Sequence, residues 1–300
     1  MPRKLHLRIL LCATVLVRVL SNRIEVVAAA PQSSPGQGEL QFFLTALAKD
    51  DSPTALQETG LSVLVDKTAA QVKGVRSAKD DPLRFAVLVD VSGSDAPTAN
   101  SIREAAFQLF QGLASPQNQG YLVLFNDQVV MSQIPLSVSQ AKQVLDLAMF
   151  KGGTAVYDAI EQTCKQKLSR SGNPARTRRV ILLISDGGDN ASYATAIKAE
   201  QAALEEGVSV FSVVTKGPMA GPMTGTRGEK ILKQISQQTG GLATDKDLKQ
   251  AVPVALAGIE AQWAVTVVPT QSADRKLHSM QIKSAQKDVR VSAPSGLFLE

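Results

Sequence analysis

Three hundred residues, 44% apolar and 20% charged, make a globular chain that can bury its own core without a disulfide or metal staple. A net charge of +5 and a pI near 9.2 raise the question of nucleic acid. However, part of the excess lies in Arg3, Lys4, Arg8, Arg18 and Arg23, the remaining bases are mixed with acids except at Arg176-Thr177-Arg178-Arg179, and aromatics are only 4%. A single-strand binder needs more stacking aromatics than that, and with the bases scattered no nucleic-acid partner is expected.

The N-terminus reads as an export signal over residues 1–29: Arg3, Lys4 and Arg8 precede the apolar run Ile9 to Val17, and Ala28-Ala29-Ala30 supply small residues for cleavage. Pro31 disfavours a cut directly after Ala30, so the cut is expected after Ala28 or Ala29. The apolar run is too short, and too interrupted by Arg18, to span a bilayer stably. A retained leader is the alternative, and membrane association follows only in that case. The expected location is periplasm, cell surface or medium. Cys12 leaves with the leader. Cys164 falls at helical spacing with Val156 and Ile160, which predicts a buried, inert thiol and no internal disulfide.

Residues 30–39 form a Pro/Gly/Ser-rich tether. Short strand-like segments follow at Gln41 to Ala46, Leu61 to Val65 and Gln71 to Val75. Then the pattern changes. Phe85 to Val89 is a continuous apolar run, as a strand covered on both faces requires. Ile102, Ala105, Ala106, Leu109, Phe110 and Leu113 mark one face of a helix. Strands are predicted at Tyr121 to Phe125 and Val129 to Ile134, and helices through Val138 to Ala148 and Val156 to Cys164. Val180 to Ile184 is another buried strand, followed by a helix from Tyr193 to Glu206 that stops at Gly207. Val208 to Val214 is a strand, and helices fit Lys230 to Gln238 and Lys246 to Ile259. Gly217 to Gly228, rich in Met, Pro and Gly, reads as a flexible connection. Ala264 to Val268, Met280 with Ile282, and Val289 with Val291 return to strand alternation.

Apolar strands alternating with amphipathic helices predict an α/β fold: a doubly wound, mostly parallel sheet with helices on both faces, over residues 81–261. Residues 40–80 and 262–300 are expected to pair into a small β module made from both chain ends.

Ligands of a doubly wound sheet bind beyond the carboxyl ends of its strands. Three polar elements fall there. Asp90-Val91-Ser92-Gly93-Ser94-Asp95 follows the first buried strand, Gly152-Gly153-Thr154 opens a helix, and Asp186-Gly187-Gly188-Asp189-Asn190 follows Val180 to Ser185. Two carboxylates and three hydroxyls, with no histidine or cysteine nearby, form an oxygen-only donor set. Such a set suits Mg²⁺, with Mn²⁺ or Ca²⁺ as alternatives, and disfavours Zn²⁺ or Cu²⁺. Taken singly, each element has a bland reading as turn or helix-cap chemistry. Three in this order, each at a strand end or a helix start, are specific.

In order and spacing they resemble the metal-ion-dependent adhesion site (MIDAS) of the von Willebrand factor A family, over roughly residues 83–260. The resemblance implies that Ser92, Ser94 and Thr154 hold the metal by their hydroxyls and that Asp90 and Asp186 act directly or through water. It also implies a protein partner that offers an Asp or Glu carboxylate to the open coordination position. Gly153, Gly187, Asp189 and Asp95 are expected at the rim or behind the ligands. Asp95 departs from the family pattern, in which an apolar residue, often methionine, commonly follows the second serine. Its extra charge could tighten a cation or repel an acidic ligand.

Catalysis finds no support. An aspartyl phosphatase needs a second Asp where Ser92 stands, and a serine hydrolase needs a histidine base, whereas His6 and His278 lie outside the α/β region. No Walker A or dinucleotide fingerprint is present. The expected function is therefore exported, metal-dependent protein binding. The alternative is a scaffold in which the metal is structural and the β module binds.

Overall fold

The computed structural model describes residues 16–20 and 23–27 and residues 38–299, except 51, 53, 58–59, 172–175 and 217–226. Most of the expected leader and tether, and the Gly217 to Gly228 connection up to residue 226, lie outside the described residues. Within the span expected to be the leader, β1 (Leu16–Leu20) and β2 (Arg23–Val27) pair antiparallel.

The chain then forms β3 (Leu40–Ala48), β4 (Leu61–Val65) and β5 (Thr68–Ser77). The alternating region follows: β6 (Leu83–Asp90), α1 (Ala99–Leu113), β7 (Gln119–Phe125), β8 (Val129–Met131), α2 (Val138–Asp146), α3 (Val156–Gln166), β9 (Arg178–Ser185), α4 (Ala196–Glu206), β10 (Val208–Val214), α5 (Arg227–Gln238), β11 (Ala243–Thr244) and α6 (Leu248–Glu260). Four strands close the chain: β12 (Gln262–Val268), β13 (Lys276–Ser284), β14 (Val289–Ser292) and β15 (Gly296–Leu299).

The alternating region builds a six-stranded sheet in the order β11-β10-β9-β6-β7-β8, parallel except at the edge strand β8. Successive residues of β6 feed opposite cores. Phe85, Val87 and Val89 pack with α1, α2 and α6, while Ala86 and Leu88 pack with α3, α4 and α5. That alternation is why β6 reads as an unbroken apolar run. Strand order reverses between β6 and β9, so a crevice opens beyond the ends of these two strands.

The doubly wound arrangement describes only this sheet. The expected small module is a seven-stranded antiparallel sheet, in the order β14-β3-β12-β5-β4-β13-β15. It is larger than its sequence pattern suggests, because β13 runs nine residues with weak alternation and β15 is only four residues long. Its core, with Phe42, Leu44, Val63, Val65, Val265, Val267, Met280 and Leu299, comes from the sheet's own strands and Leu56, so the sheet curls over itself. Polar contacts tie it to the α/β part: Thr45 Oγ1 donates to Gly240 O at 2.8 Å, and Gln262 Nε2 to Ser209 Oγ at 3.1 Å.

Some boundaries shift for local reasons. α4 begins at Ala196 rather than Tyr193, because Thr195 caps it and the Asp158 carboxylate accepts the Tyr193 and Ala194 amides at 3.1 and 2.7 Å. β8 stops at Met131, where Ser132 turns its hydroxyl to accept from Leu122 N. Cys164 is fully buried, and burial pushes its thiol pKa far up, so it is inert.

One ionic clamp closes a corner of the antiparallel sheet. His278 Nδ1 lies 2.6 Å from Asp66 Oδ2, and Nε2 lies 2.9 Å from Asp274 Oδ1. Ionised carboxylates only accept, so both ring nitrogens must carry protons. The bonds to Asp274 and Asp66 hold the imidazolium above its ordinary 6.5. Its contribution is complete below that value and is lost as pH rises through the raised one. His278→Gln is expected to lower the thermal midpoint near pH 6, with the deficit shrinking by about pH 9. An equal deficit at both pH values would show that the clamp does not depend on the charge.

Candidate metal centre

Backbone bonds lace three loops together at the crevice between β6 and β9. Beyond Asp90, Val91 N donates to Phe125 O at 2.8 Å, and the chain turns into a 3-10 segment, Gly93–Thr98, that leads to α1. Gly93 N donates to Gly152 O at 3.1 Å and Lys151 N to Val91 O at 2.8 Å, which joins this loop to the one before α3. Thr154 N donates to Asn190 Oδ1 at 2.9 Å, and Asn190 N and Ala191 N return bonds to Thr154 O, each at 3.0 Å. The third loop, after β9, is thereby fixed to the second.

Asp90 is fully buried. Its Oδ1 accepts from Ser92 N at 3.0 Å and its Oδ2 from Ser185 Oγ at 2.7 Å. Ser92 is buried and Ser94 exposed, and their hydroxyl oxygens lie 3.0 Å apart. Thr154 is buried at the start of the segment leading into α3. Asp186 is half-buried, with Oδ1 accepting from Gly188 N at 2.8 Å. Gly187 has φ +79°, and a side chain there would meet the carbonyl carbon of Gly228 at 2.5 Å, so only glycine lets this loop lie against the start of α5. At Gly153 a Cβ would come within 2.7 Å of Asn190 Oδ1. Asp189 is engaged at the start of α3. Its Oδ2 accepts from Ser192 Oγ at 2.6 Å and from Tyr157 N at 3.2 Å, which anchors the first turn of α3.

Asp95 is not a rim residue. It is 1% exposed, its Oδ1 accepts from Thr215 Oγ1 at 3.1 Å, and its Oδ2 has no hydrogen-bond partner among the described residues. Two supporting hydroxyls, Ser185 and Thr215, are not singled out by the sequence pattern. Each ends or follows an apolar strand beside the crevice, Thr215 N donates to Ser185 O at 3.0 Å, and each hydroxyl holds one buried carboxylate. Their position at strand ends is the signal that could have found them.

Burial pushes the Asp90 carboxyl up to about 6 against the pull of its hydrogen bonds, and the Asp186 charge adds to the rise. Burial, then the charges of Asp90 and Asp186, push Asp95 up to about 7. No cation among the described residues offsets either group. Nor does any group of three or more His, Cys, Asp or Glu among them converge as ligands for a metal. The donors at this crevice are therefore hydroxyls backed by carboxylates. Buried, uncompensated negative charge beside paired hydroxyls is a set that a hard divalent cation fits.

Known proteins share this fold. The model of the von Willebrand factor type A domain matches residues 85–253. Proximal thread matrix protein 1 from the mussel byssus, solved with a zinc-occupied MIDAS motif, is 15% identical over 64% of this chain and 48% of its own, with a TM-score of 0.50. A von Willebrand factor type A protein from Catenulispora acidiphila is 12% identical over 90% of this chain and 74% of its own, at 0.48. An aerotolerance-related membrane protein from Bacteroides fragilis is 18% identical over 59% of this chain and 98% of its own, at 0.47. No curated protein matches the sequence. With the family model spanning more than half its length, the chain belongs to the von Willebrand factor type A domain family.

Proposed function

We propose that the protein is an exported module that binds a protein partner through a divalent cation held at the crevice by Ser92, Ser94 and Thr154, with Asp90 and Asp186 acting directly or through water. The observation that carries this reading is the pairing of the Ser92 and Ser94 hydroxyls, 3.0 Å apart, over a buried Asp90 with no cation to offset it among the described residues. When bound, the metal supplies an electrophilic open position. Neutral hydroxyl ligands leave that position able to accept an oxygen from outside, such as the carboxylate of an Asp or Glu.

The surroundings suit contact with a protein. Tyr193 is 98% exposed on the loop that follows Asp186, and Met149 is 68% exposed on the loop that leads to Thr154. Among the described residues the one histidine, His278, is engaged by Asp66 and Asp274 in the other sheet. Mg²⁺ is the preferred ion for an oxygen donor set, and Mn²⁺ and Ca²⁺ fit the same chemistry. The zinc in the byssus protein makes Zn²⁺ a necessary comparison. Among the described residues no helix is long and apolar enough to cross a membrane, so the proposal of export rests on the leader's composition.

The test is calorimetric titration of the chain with Mg²⁺, Mn²⁺ and Zn²⁺, with Asp186→Ala and Ser92→Ala/Ser94→Ala alongside. Saturable binding is expected in the wild type, with affinity reduced at least about 100-fold in the double variant, the scale of losing two ligand oxygens. The thermal midpoint without metal should stay nearly unchanged in both variants. Equal affinity in all three proteins would sink the assignment. If partner binding is later found to survive chelation, the antiparallel sheet becomes the binding surface and the metal a structural part.

A further inference from the structure

We infer that Asp95 sets the charge balance of the cation site, tightening the metal and weakening an acidic partner. The inference rests on the proposed metal-binding reading. Both oxygens of Asp90 are engaged, one by Ser92 N and the other by Ser185 Oγ. Asp95 has one oxygen engaged by Thr215 and one, Oδ2, buried with no hydrogen-bond partner among the described residues. A carboxylate oxygen in that state is costly unless positive charge is supplied nearby.

The fold ties Asp95 to the other acids. Asp95 hangs from Thr215, whose amide is bonded to Ser185 O, and Ser185 in turn holds Asp90 and accepts from Gly187 N at 3.0 Å. One short relay across the ends of β9 and β10 thus links Asp95, Asp90 and the loop that carries Asp186. The three carboxylates do not converge as ligands, so Asp95 acts through its charge and through water.

The charge count has a direct consequence. Asp90 and Asp186 neutralise a divalent cation, and Asp95 leaves the loaded site one unit negative. A partner's carboxylate then approaches a site that repels it, although the metal still offers an open position. The two effects have opposite signs. Removing the Asp95 charge should loosen the cation and favour an anionic ligand on the loaded site.

Asp95→Asn keeps the size of the side chain and a group that can accept the Thr215 hydroxyl, and Asp95→Ala removes both. For each, the Mn²⁺ affinity is measured by electron paramagnetic resonance, and the acetate affinity of the Mn²⁺-saturated protein by water-proton relaxation. Both variants are expected to bind Mn²⁺ about tenfold more weakly than wild type and acetate severalfold more tightly. Thermal unfolding without metal checks the fold, and a higher midpoint for Asp95→Asn is expected because a buried charge has been removed. If wild type binds Mn²⁺ and both variants match it for Mn²⁺ and acetate, the inference is overturned while the metal site stands. If wild type fails to bind Mn²⁺, both fall. Weaker binding of Mn²⁺ and acetate together would assign Asp95 a purely structural role and would also overturn the inference.

Discussion

Without metal, the protein is expected to lose stability as pH rises from about 4 to about 7, and saturating Mg²⁺ or Mn²⁺ is expected to reverse that trend. Asp90 and Asp95 carry pKa values raised from 3.8 to about 6 and about 7. Between the ordinary and raised values the folded state holds protons that the unfolded chain has released. Stability therefore falls with each step of pH through that window, and the loss is complete above the raised values. Glu200, which burial also raises from 4.5, adds in the same direction, and together the three groups should make the fall a few kcal/mol. Asp66, Asp245 and Asp274 have lowered values, so their stabilisation is lost only below the ordinary carboxylate range and does not enter this window. His278 loses its contribution above 6.5, in the same direction, so the series is best run in a His278→Gln background. The measurement is urea unfolding with chelator and with metal at several pH values across the window. A flat profile in chelator would mean that water reaches both carboxylates and that the crevice is not desolvated.

Much of the α/β part is legible in the sequence because its physics is local and periodic. β6 and β9 are covered on both faces and therefore read as unbroken apolar runs, β10 is broken only by the buried Ser209 and Ser212, and α1 writes its buried face into the spacing of Ile102, Ala105, Ala106, Leu109, Phe110 and Leu113. Gly207, at φ +63°, ends α4 where a left-handed stop is expected. The antiparallel sheet is harder to read. β5 alternates between exposed and half-buried residues, and β13 buries only Met280 fully, so neither separates strongly from a loop. β15 gains its place only by pairing with β13, a relation that no local pattern records. The start of α4 differs from its periodicity for a tertiary reason, since Asp158 from α3 captures the amides of Tyr193 and Ala194 before the helix can include them.

At the crevice, sequence order puts Asp90, Ser92, Thr154 and Asp186 at strand ends and helix starts, and the parallel sheet gathers those ends at one edge. Direction is what the sequence does not reveal. Asp95 follows the serine pair and reads as a loop acid, yet the 3-10 segment turns it inward onto Thr215. Asp189 reads as a rim acid, yet it serves the start of α3. Both outcomes depend on groups at least 30 residues away in sequence, which only the folded chain brings near.

Asp81→Ala is expected to cost about 3–5 kcal/mol and to lower the thermal midpoint by on the order of ten degrees. Asp81 is buried in the turn between β5 and β6, where the chain passes from the antiparallel to the parallel sheet. Its carboxylate meets Arg76 of β5 at 2.7 Å and Arg176, just before β9, at 2.9 Å. Beside it, buried Arg178 donates to Ile259 O at 3.0 Å, Lys79 O at 3.1 Å and Asp81 O at 3.3 Å, spanning the same junction. Burial lowers the Arg178 pKa, and Asp81 is the strongest charge acting in the opposite direction. Removing Asp81 thus takes away the nearest offset to a buried guanidinium, which costs far more than losing a surface ion pair. Exposed Asp80 provides the control, and Asp80→Ala should change stability by no more than about 0.5 kcal/mol. A loss below about 1 kcal/mol in Asp81→Ala would show that the arginines are solvated in solution. Metal titration of the same variant connects the junction to function. Asp81 precedes β6 and Asp90 ends it, so the junction and the crevice lie at opposite ends of one strand. Metal affinity unchanged beside the lost stability would mean that the junction holds the two sheets together without tuning the site. Affinity that falls in step with stability would mean that the antiparallel sheet governs the crevice through β6.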